Sequence, residues 1–277
     1  VKRWYFLILL FIIPSGLGAQ TNDSLLAMQW QKALLLQHNE AYYDAVTELQ
    51  RLLFFDSEGK YTFQAQFVMG ECYAAGARIH DAATAFNKAL LAAPAIGERN
   101  TARREVFRML LLGKQYGTAA IHLDLMEKNG FPPDEIRFWK GWLAIFQDDW
   151  EKAAGYFGSP DTTIFLRDFC LSVQKKKYNR NLAELLSVIL PGAGQVYTGH
   201  YAQGLISLGW NGLFGYLTVK AFQANRVFDG VMTGSLLWLR FYAGGYQTAG
   251  TWADERNTEI YNDALRFLER EYKGKKP

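Results

Sequence analysis

LAELLSVILPGAGQVYTGHYAQG, residues 182–204, divides the chain into two parts of different character. Upstream the sequence is charged and patterned like soluble helices. Downstream come two long apolar runs, Leu205–Phe222 and Val227–Gly250. At the centre stand Pro191, Gly192, Gly194, Gln195, Tyr197 and Gly199. Proline removes a backbone donor and clashes inside a helix, while glycine permits tight turns. An apolar helix therefore has to break here, and irregular backbone at membrane depth is tolerated only where protein or water satisfies it. The stretch is expected to be a kinked or re-entrant way into a small membrane domain spanning 182–252, with a folded head before it.

The two apolar runs are expected to be paired spans. Gly204, Ser207, Asn211 and Gly215 fall on one helix face, and small or hydrogen-bonding residues on one face are what close packing in lipid requires. Gly230 and Gly234 give the second run a GxxxG spacing near its start. Trp210, Tyr216, Trp238, Tyr242, Tyr246 and Trp252 supply aromatic anchoring. Arg240 is the unusual residue, an ionisable group well inside an apolar run, where a charge faces protein, a water pocket or a partner. Glu184 is the only acidic residue between Arg180 and Phe228. Two readings follow: Glu184 and Arg240 pair across the domain, or Arg240 snorkels to an interface.

The turn pattern resembles the small two-helix transmembrane domains of uncharacterised bacterial membrane proteins, in which a Pro-Gly-x-Gly-Gln-x-Tyr turn precedes a glycine-rich first span. That resemblance implies architecture and no agreed activity. In similar chains the domain sometimes follows helical repeats, and some relatives are connected with membrane-protein insertion.

Residues 22–160 repeat themselves. From Phe63, the residues Gly70, Tyr73, Ala82, Phe86, Ala89 and Pro94 follow at offsets of 7, 10, 19, 23, 26 and 31. This unit resembles the tetratricopeptide repeat, a helix-turn-helix module. Small Gly70 and Ala82 would let the two helices approach, Tyr73 and Phe86 would fill between them, and Pro94 would stop the second helix. Looser copies carry a bulky residue three before an alanine, at Tyr42/Ala45, Ile79/Ala82, Tyr116/Ala119 and Trp150/Ala153. Their alanines lie 37, 37 and 34 residues apart. Leu49, Phe86, Leu123 and Phe157 then stand four after each alanine. Stacked units share one continuous core. The resemblance implies a partner-binding scaffold that takes a protein or peptide on its concave face. Arg99, Arg103, Arg104 and Arg108 lie at helical spacing as a stripe for an acidic partner or headgroups, or simply as a solvated face.

The flanks complete the division. Residues 1–19 have the positive start, apolar core and small-residue exit of a signal peptide, with an uncleaved anchor as the alternative. Residues 161–181 read as a connecting helix ending in the basic cluster Lys175, Lys176, Lys177 and Arg180, and 253–277 as an amphipathic tail. The leader is expected to place the repeats outside a bacterial inner membrane, in the periplasm, whereas the basic cluster would mark a cytoplasmic side or contact acidic headgroups.

Chemistry is sparse. A formal charge of +3 gives no basic body for nucleic acid. Cys72 and Cys170 are too few for a disulfide framework and read as buried thiols, with one bridge as the alternative. His38, His80, His122 and His200 are scattered, none within a metal or nucleophile motif. The glycines at 192, 194 and 199 lack the spacing and strand-helix context of a nucleotide loop. The expectation is an all-α protein: tetratricopeptide-like repeats followed by a small helical membrane domain, without enzymatic activity, cofactor or metal. Its role would be recruiting an envelope protein. The alternative is an accessory factor in membrane-protein insertion or transport, working through the membrane domain.

Overall fold

The computed structural model describes the backbone of residues 16–158 and 163–277, with side chains from residue 23 onward. The leader expected over 1–19 falls outside these residues apart from its last four backbone positions. Among the described residues the fold is all-α, without strands.

Two compact units divide between Gln147 and Asp148. The first contains α1 (Gly16–His38), α2 (Tyr42–Phe55), α3 (Thr62–Ala75), α4 (Ile79–Ala92), α5 (Ile96–Leu112), α6 (Tyr116–Lys128) and α7 (Pro133–Phe146). Each packs on its sequence neighbours, the arrangement of a helical repeat-like array. The reason is visible in the turns. Glu40, Ala77 and Lys114 all adopt left-handed φ, at 60°, 56° and 59°. The next residue then bonds back five positions, Ala41 to the Leu36 carbonyl at 2.9 Å, Arg78 to Tyr73 at 2.8 Å and Gln115 to Leu110 at 2.9 Å. This closes one helix with a Schellman motif and launches the next one residue later, at Tyr42, Ile79 and Tyr116.

Packing follows the repeated positions. Ala45, Ala82 and Ala119 are fully buried, and Leu49, Phe86 and Leu123 lie beneath them. At Gly70 a Cβ would sit 2.7 Å from the Phe86 ring, so only glycine lets α3 and α4 meet this closely. Glu48, buried in this unit, receives hydrogen bonds from Lys32 at 2.8 Å and Arg51 at 2.9 Å. The Lys32 ammonium, aided by Arg51, holds its carboxyl below the usual range, against the opposing effect of burial.

The second unit runs from Asp148 to Lys276. It begins with α8 (Trp150–Tyr156) and α9 (Ile164–Lys176), followed by α10 (Arg180–Ile189), α11 (Ala193–Tyr197) and α12 (Tyr201–Gln223). The last stretch is α13 (Val227–Met232), a π-helical segment Thr233–Trp238 and α14 (Leu239–Arg270). The cap residues Met232, Trp238 and Leu239 keep right-handed helical geometry, so the path through the π segment is unbroken.

Three expectations change. The repeat block expected to end at 160 is divided at 147/148: α8 carries the fourth alanine, Ala153, but belongs to the second unit and packs against α9. The tail expected to begin at 253 is continuous with α14. Its outer end packs on α9, with Phe169 stacked on Phe267 at 5.0 Å and Phe165 on Tyr272 at 5.7 Å. Finally, two membrane spans were expected, yet among the described residues no helix is long and apolar enough to cross a membrane. The polar and glycine residues on one side of α12 dilute its average. The second run is shared among three helical segments and contains Asp229 and Arg240.

Candidate functional site

The Pro191–Gly199 stretch forms a buried polar node. α10 ends at Ile189, Gly192 turns the chain at φ 97°, and the single turn α11 follows. Each glycine has a steric reason. A Cβ on Gly192 would overlap the Gly204 carbonyl, and one on Gly194 would overlap the Ala183 carbonyl and the Ser187 hydroxyl. α10, α11 and α12 thus meet backbone to backbone. The freed polar groups are satisfied by protein. The Gly194 N–H donates to Ser187 Oγ at 3.0 Å, the Ser187 hydroxyl donates to Gln195 Oε1 at 2.9 Å, and Gln195 Nε2 donates to the Gly245 carbonyl at 2.7 Å. Thr198, fully buried, bonds back to the Gln195 carbonyl at 3.0 Å. Tyr197 accepts from the Asn179 N–H at 3.1 Å and packs edge-on against Tyr178. Asn257 clamps Tyr178 by donating to its carbonyl and accepting from its N–H, at 2.9 and 2.8 Å.

Pro191, Gly192, Gly194, Gln195, Tyr197 and Gly199 are therefore brought together as a structural joint. Ser187, Thr198 and Asn257 complete it and carry no signature of their own. Ser187 lies one helical turn upstream of the motif, and Asn257 is 79 residues from its partner.

The structure does not pair Glu184 with Arg240. Glu184 accepts from Arg180 at 2.9 Å, one helical turn away, and Arg180 also bonds Asp254. Those two carboxylates raise the Arg180 pKa further, the Glu184 hydrogen bond being the larger cause. The Glu184 side chain packs where a Cβ on Gly250 would stand. Arg240 instead lines a groove of about 640 Å3 between α12 and α14.

α12 and the helix returning from Val227 form a hairpin. Gly215 faces the Trp238 ring, Gly234 faces Thr218 and Gly230 faces Phe222. Its burial is inverted. Asn211 and Thr218 are 5% and 6% exposed, whereas Leu205 and Phe228 are 69% and 71% exposed. Leu213, Leu217, Val219, Val231, Leu236 and Leu239 are exposed too. The inward polar groups serve their own helix, Asn211 Nδ2 donating to the Ser207 carbonyl at 2.8 Å and Thr218 Oγ1 to Phe214 at 2.7 Å.

The arginine stripe on α5 is mostly engaged. Arg104 forms a two-pronged pair with Glu135, at 2.6 and 3.0 Å, and lies over the Phe131 ring. Arg108 binds Glu105 at 2.7 Å, and Arg99 donates to the Ala93 carbonyl at 3.3 Å. Arg103 remains, its buried Nε without a partner, and His122 has a buried, unpartnered Nδ1. Burial, then the neighbouring Arg103 charge, pushes the His122 pKa down. Of the basic cluster before the hairpin, Lys177 binds Asp148 at 2.7 Å and Arg180 is paired, leaving Lys175 and Lys176 exposed.

Among the described residues no cluster of three or more His, Cys, Asp or Glu is placed to hold a metal. Cys72 and Cys170 are free and buried, and desolvation pushes their thiols up to about 11 and about 12. Neither is a ready nucleophile at neutral pH. The fold defines an all-α, repeat-like class of protein. In comparisons with protein-family models, curated proteins and solved structures, nothing matches the chain.

Proposed function

We propose that the protein is a non-enzymatic scaffold of the bacterial envelope. Its tetratricopeptide-like repeats dock a protein or peptide, and the α12–α14 hairpin anchors it in a membrane. The observation that carries this reading is the inverted burial of the hairpin. A water-exposed helix pair would turn Leu205, Leu217, Phe228 and Leu236 inward and Asn211 outward; here the reverse holds. Contiguous apolar surface of this kind marks a membrane or protein contact. Hydropathy averaged along each helix understates what lipid would meet, because the polar side chains face the partner helix and bond to their own backbone. The buried joint at Pro191–Gly199 gives the hairpin a rigid base. On the repeat side, Arg103, half-buried and outside the ion pairs that hold Arg104 and Arg108, is the stripe residue offered to an acidic group of the partner.

Flotation on a density gradient tests the anchor. The full chain is expected to rise with phosphatidylcholine vesicles. A variant carrying Leu205→Asp, Leu217→Asp and Leu239→Asp, at exposed positions outside the groove between α12 and α14, is expected to stay at the bottom while keeping its helical content. Equal flotation of both would remove the membrane from the account. A photo-crosslinking residue in place of the exposed Thr101, on the same helix, tests docking, expected to yield a defined adduct that Arg103→Gln abolishes.

A further inference from the structure

The groove between α12 and α14 has a composition that the anchoring role does not require. One wall is aromatic: Trp210 and Phe241 line it and stack at 6.1 Å, each also stacked on Phe214, at 5.4 and 5.3 Å. The other features are polar. Arg240 lines the groove, and the three acidic residues between Leu182 and Asp254 are all held by other arginines. Glu184 and Asp254 belong to Arg180, and Asp229 to Arg226. Arg240 is thus a cation on an apolar wall that forms no ion pair among the described residues, an arrangement that favours an anion or water beside it.

Asn211 gives a second, independent indication. It is 5% exposed and lines the same groove. The atom facing the Ser207 carbonyl must be the amide nitrogen, because that carbonyl can only accept. This leaves Asn211 Oδ1 buried without a donor, a condition that normally signals a missing partner. The groove therefore presents one cation and one hydrogen-bond acceptor between walls suited to hydrocarbon. The π-helical segment that ends at Trp238, just before Arg240, is a further irregularity of a kind frequent at functional sites.

We propose that this groove binds a single acidic glycerophospholipid. Its phosphate would be held by Arg240, a headgroup hydroxyl would donate to Asn211 Oδ1, and one acyl chain would lie along Trp210 and Phe241. The inference rests on the membrane reading above and adds lipid selectivity to it. Phosphatidylglycerol supplies all three parts and is the probe of choice.

The test uses the full chain and measures vesicle affinity by flotation, with phosphatidylcholine alone and with phosphatidylglycerol mixed in. Three variants are compared: Arg240→Gln, Asn211→Leu and Lys220→Gln, the last on the same hairpin but outside the groove. Wild type is expected to prefer the acidic vesicles. Arg240→Gln is expected to lose roughly fivefold or more of that preference, since one basic residue at a lipid surface contributes about 1 kcal/mol. Asn211→Leu should lose less, and Lys220→Gln least. Native mass spectrometry should show one phosphatidylglycerol retained by wild type and none by Arg240→Gln. Equal losses in Lys220→Gln and Arg240→Gln would reduce the effect to general charge attraction and overturn the site. Displacement by water-soluble glycerol phosphate at concentrations comparable to the lipid would overturn the lipid as ligand. Binding to both vesicle types without preference sinks the lipid site alone; binding to neither sinks the membrane reading with it.

Discussion

The helix pair α3/α4 and the hairpin α12/α13 are built with the same backbone device and bury opposite kinds of side chain. Both close with a left-handed residue two places before the second helix, Ala77 at φ 56° and Asn225 at φ 55°. Both make the same five-back bond, Arg78 to Tyr73 at 2.8 Å and Arg226 to Ala221 at 2.9 Å. Each also sets a glycine of one helix against a phenylalanine of the other, Gly70 under Phe86 and Gly230 under Phe222. The side chains then part company. The repeat pair buries Phe86, Ala89 and Leu90; the hairpin buries Gly230, Asn211 and Thr218 and leaves Leu217, Phe228 and Val231 outside. Turn geometry therefore fixes how two helices meet, while the distribution of large apolar side chains fixes which of them the pair buries.

The comparison can be broken by one pair of truncations. Phe86→Ala should destabilise the repeat unit by about 3–5 kcal/mol in a denaturant titration, through the cavity it leaves. Phe228→Ala, at an exposed position, should change stability by less than about 0.5 kcal/mol and reduce vesicle binding instead. If Phe228→Ala proved as destabilising as Phe86→Ala, the hairpin would have an ordinary aqueous core.

The polar joint should behave like neither surface. Gln195→Ala leaves the Ser187 hydroxyl and the Gly245 carbonyl without their partner and should cost about 1–3 kcal/mol, read as a lower melting temperature in mild detergent. The exposed neighbour Val196→Ala serves as the control, expected to move the transition far less.

The shared turn predicts a smaller, opposite effect. Ala77→Gly should raise repeat stability by about 0.5–1 kcal/mol, because alanine is strained at positive φ. Asn225→Gly should gain only a few tenths, since asparagine visits that region more readily. Equal gains would mean that the two turns are strained alike.

The most modest effect is a pH slope in the repeat unit. The folded-state pKa of His122 is depressed, so the unfolded chain takes up the proton first as pH falls. Its contribution is whole above the ordinary histidine value near 6.5 and declines as the pH drops through it. His122→Gln should flatten stability against pH over that range, and Arg103→Gln should move the His122 midpoint, followed by NMR, back upward.

What was legible in the sequence was whatever depends on local steric needs. Repeat starts at Tyr42, Ile79, Tyr116 and Trp150 are each the first residue of a helix, because a bulky residue and an alanine three later mark the first turn of a packed helix. The Pro191–Gly199 break was legible for the same reason, glycine and proline acting on their own backbone. Ser207 and Gly215 do turn toward the returning helix and Asn211 lines the groove beside it, as helical periodicity required, whereas Gly204 packs against Gly192 and Val196 in the joint. Long-range choices were not legible. Glu184 had Arg180 one turn away, a partner that needs no chain closure, and this outcompeted Arg240. Spacing alone could not show that Arg104 is held by Glu135, 31 residues on. Nor could it show that α8 packs on α9, since a repeat offset says where a helix starts and not which neighbour covers it. The continuity of α14 is legible as well, since no proline interrupts 239–270 and the change of polarity near 253 does not break a helix.

That continuity has a mechanical corollary. α14 has 32 residues and is about 48 Å long. Arg240 stands at its first turn, and Phe267, against Phe169, stands at its last. The clamp where Asn257 grips Tyr178 holds this rod between its two ends. One unbroken helix thus carries both the arginine of the groove and the ring that stacks on Phe169, so the two ends are joined by hydrogen-bonded backbone and by no loop.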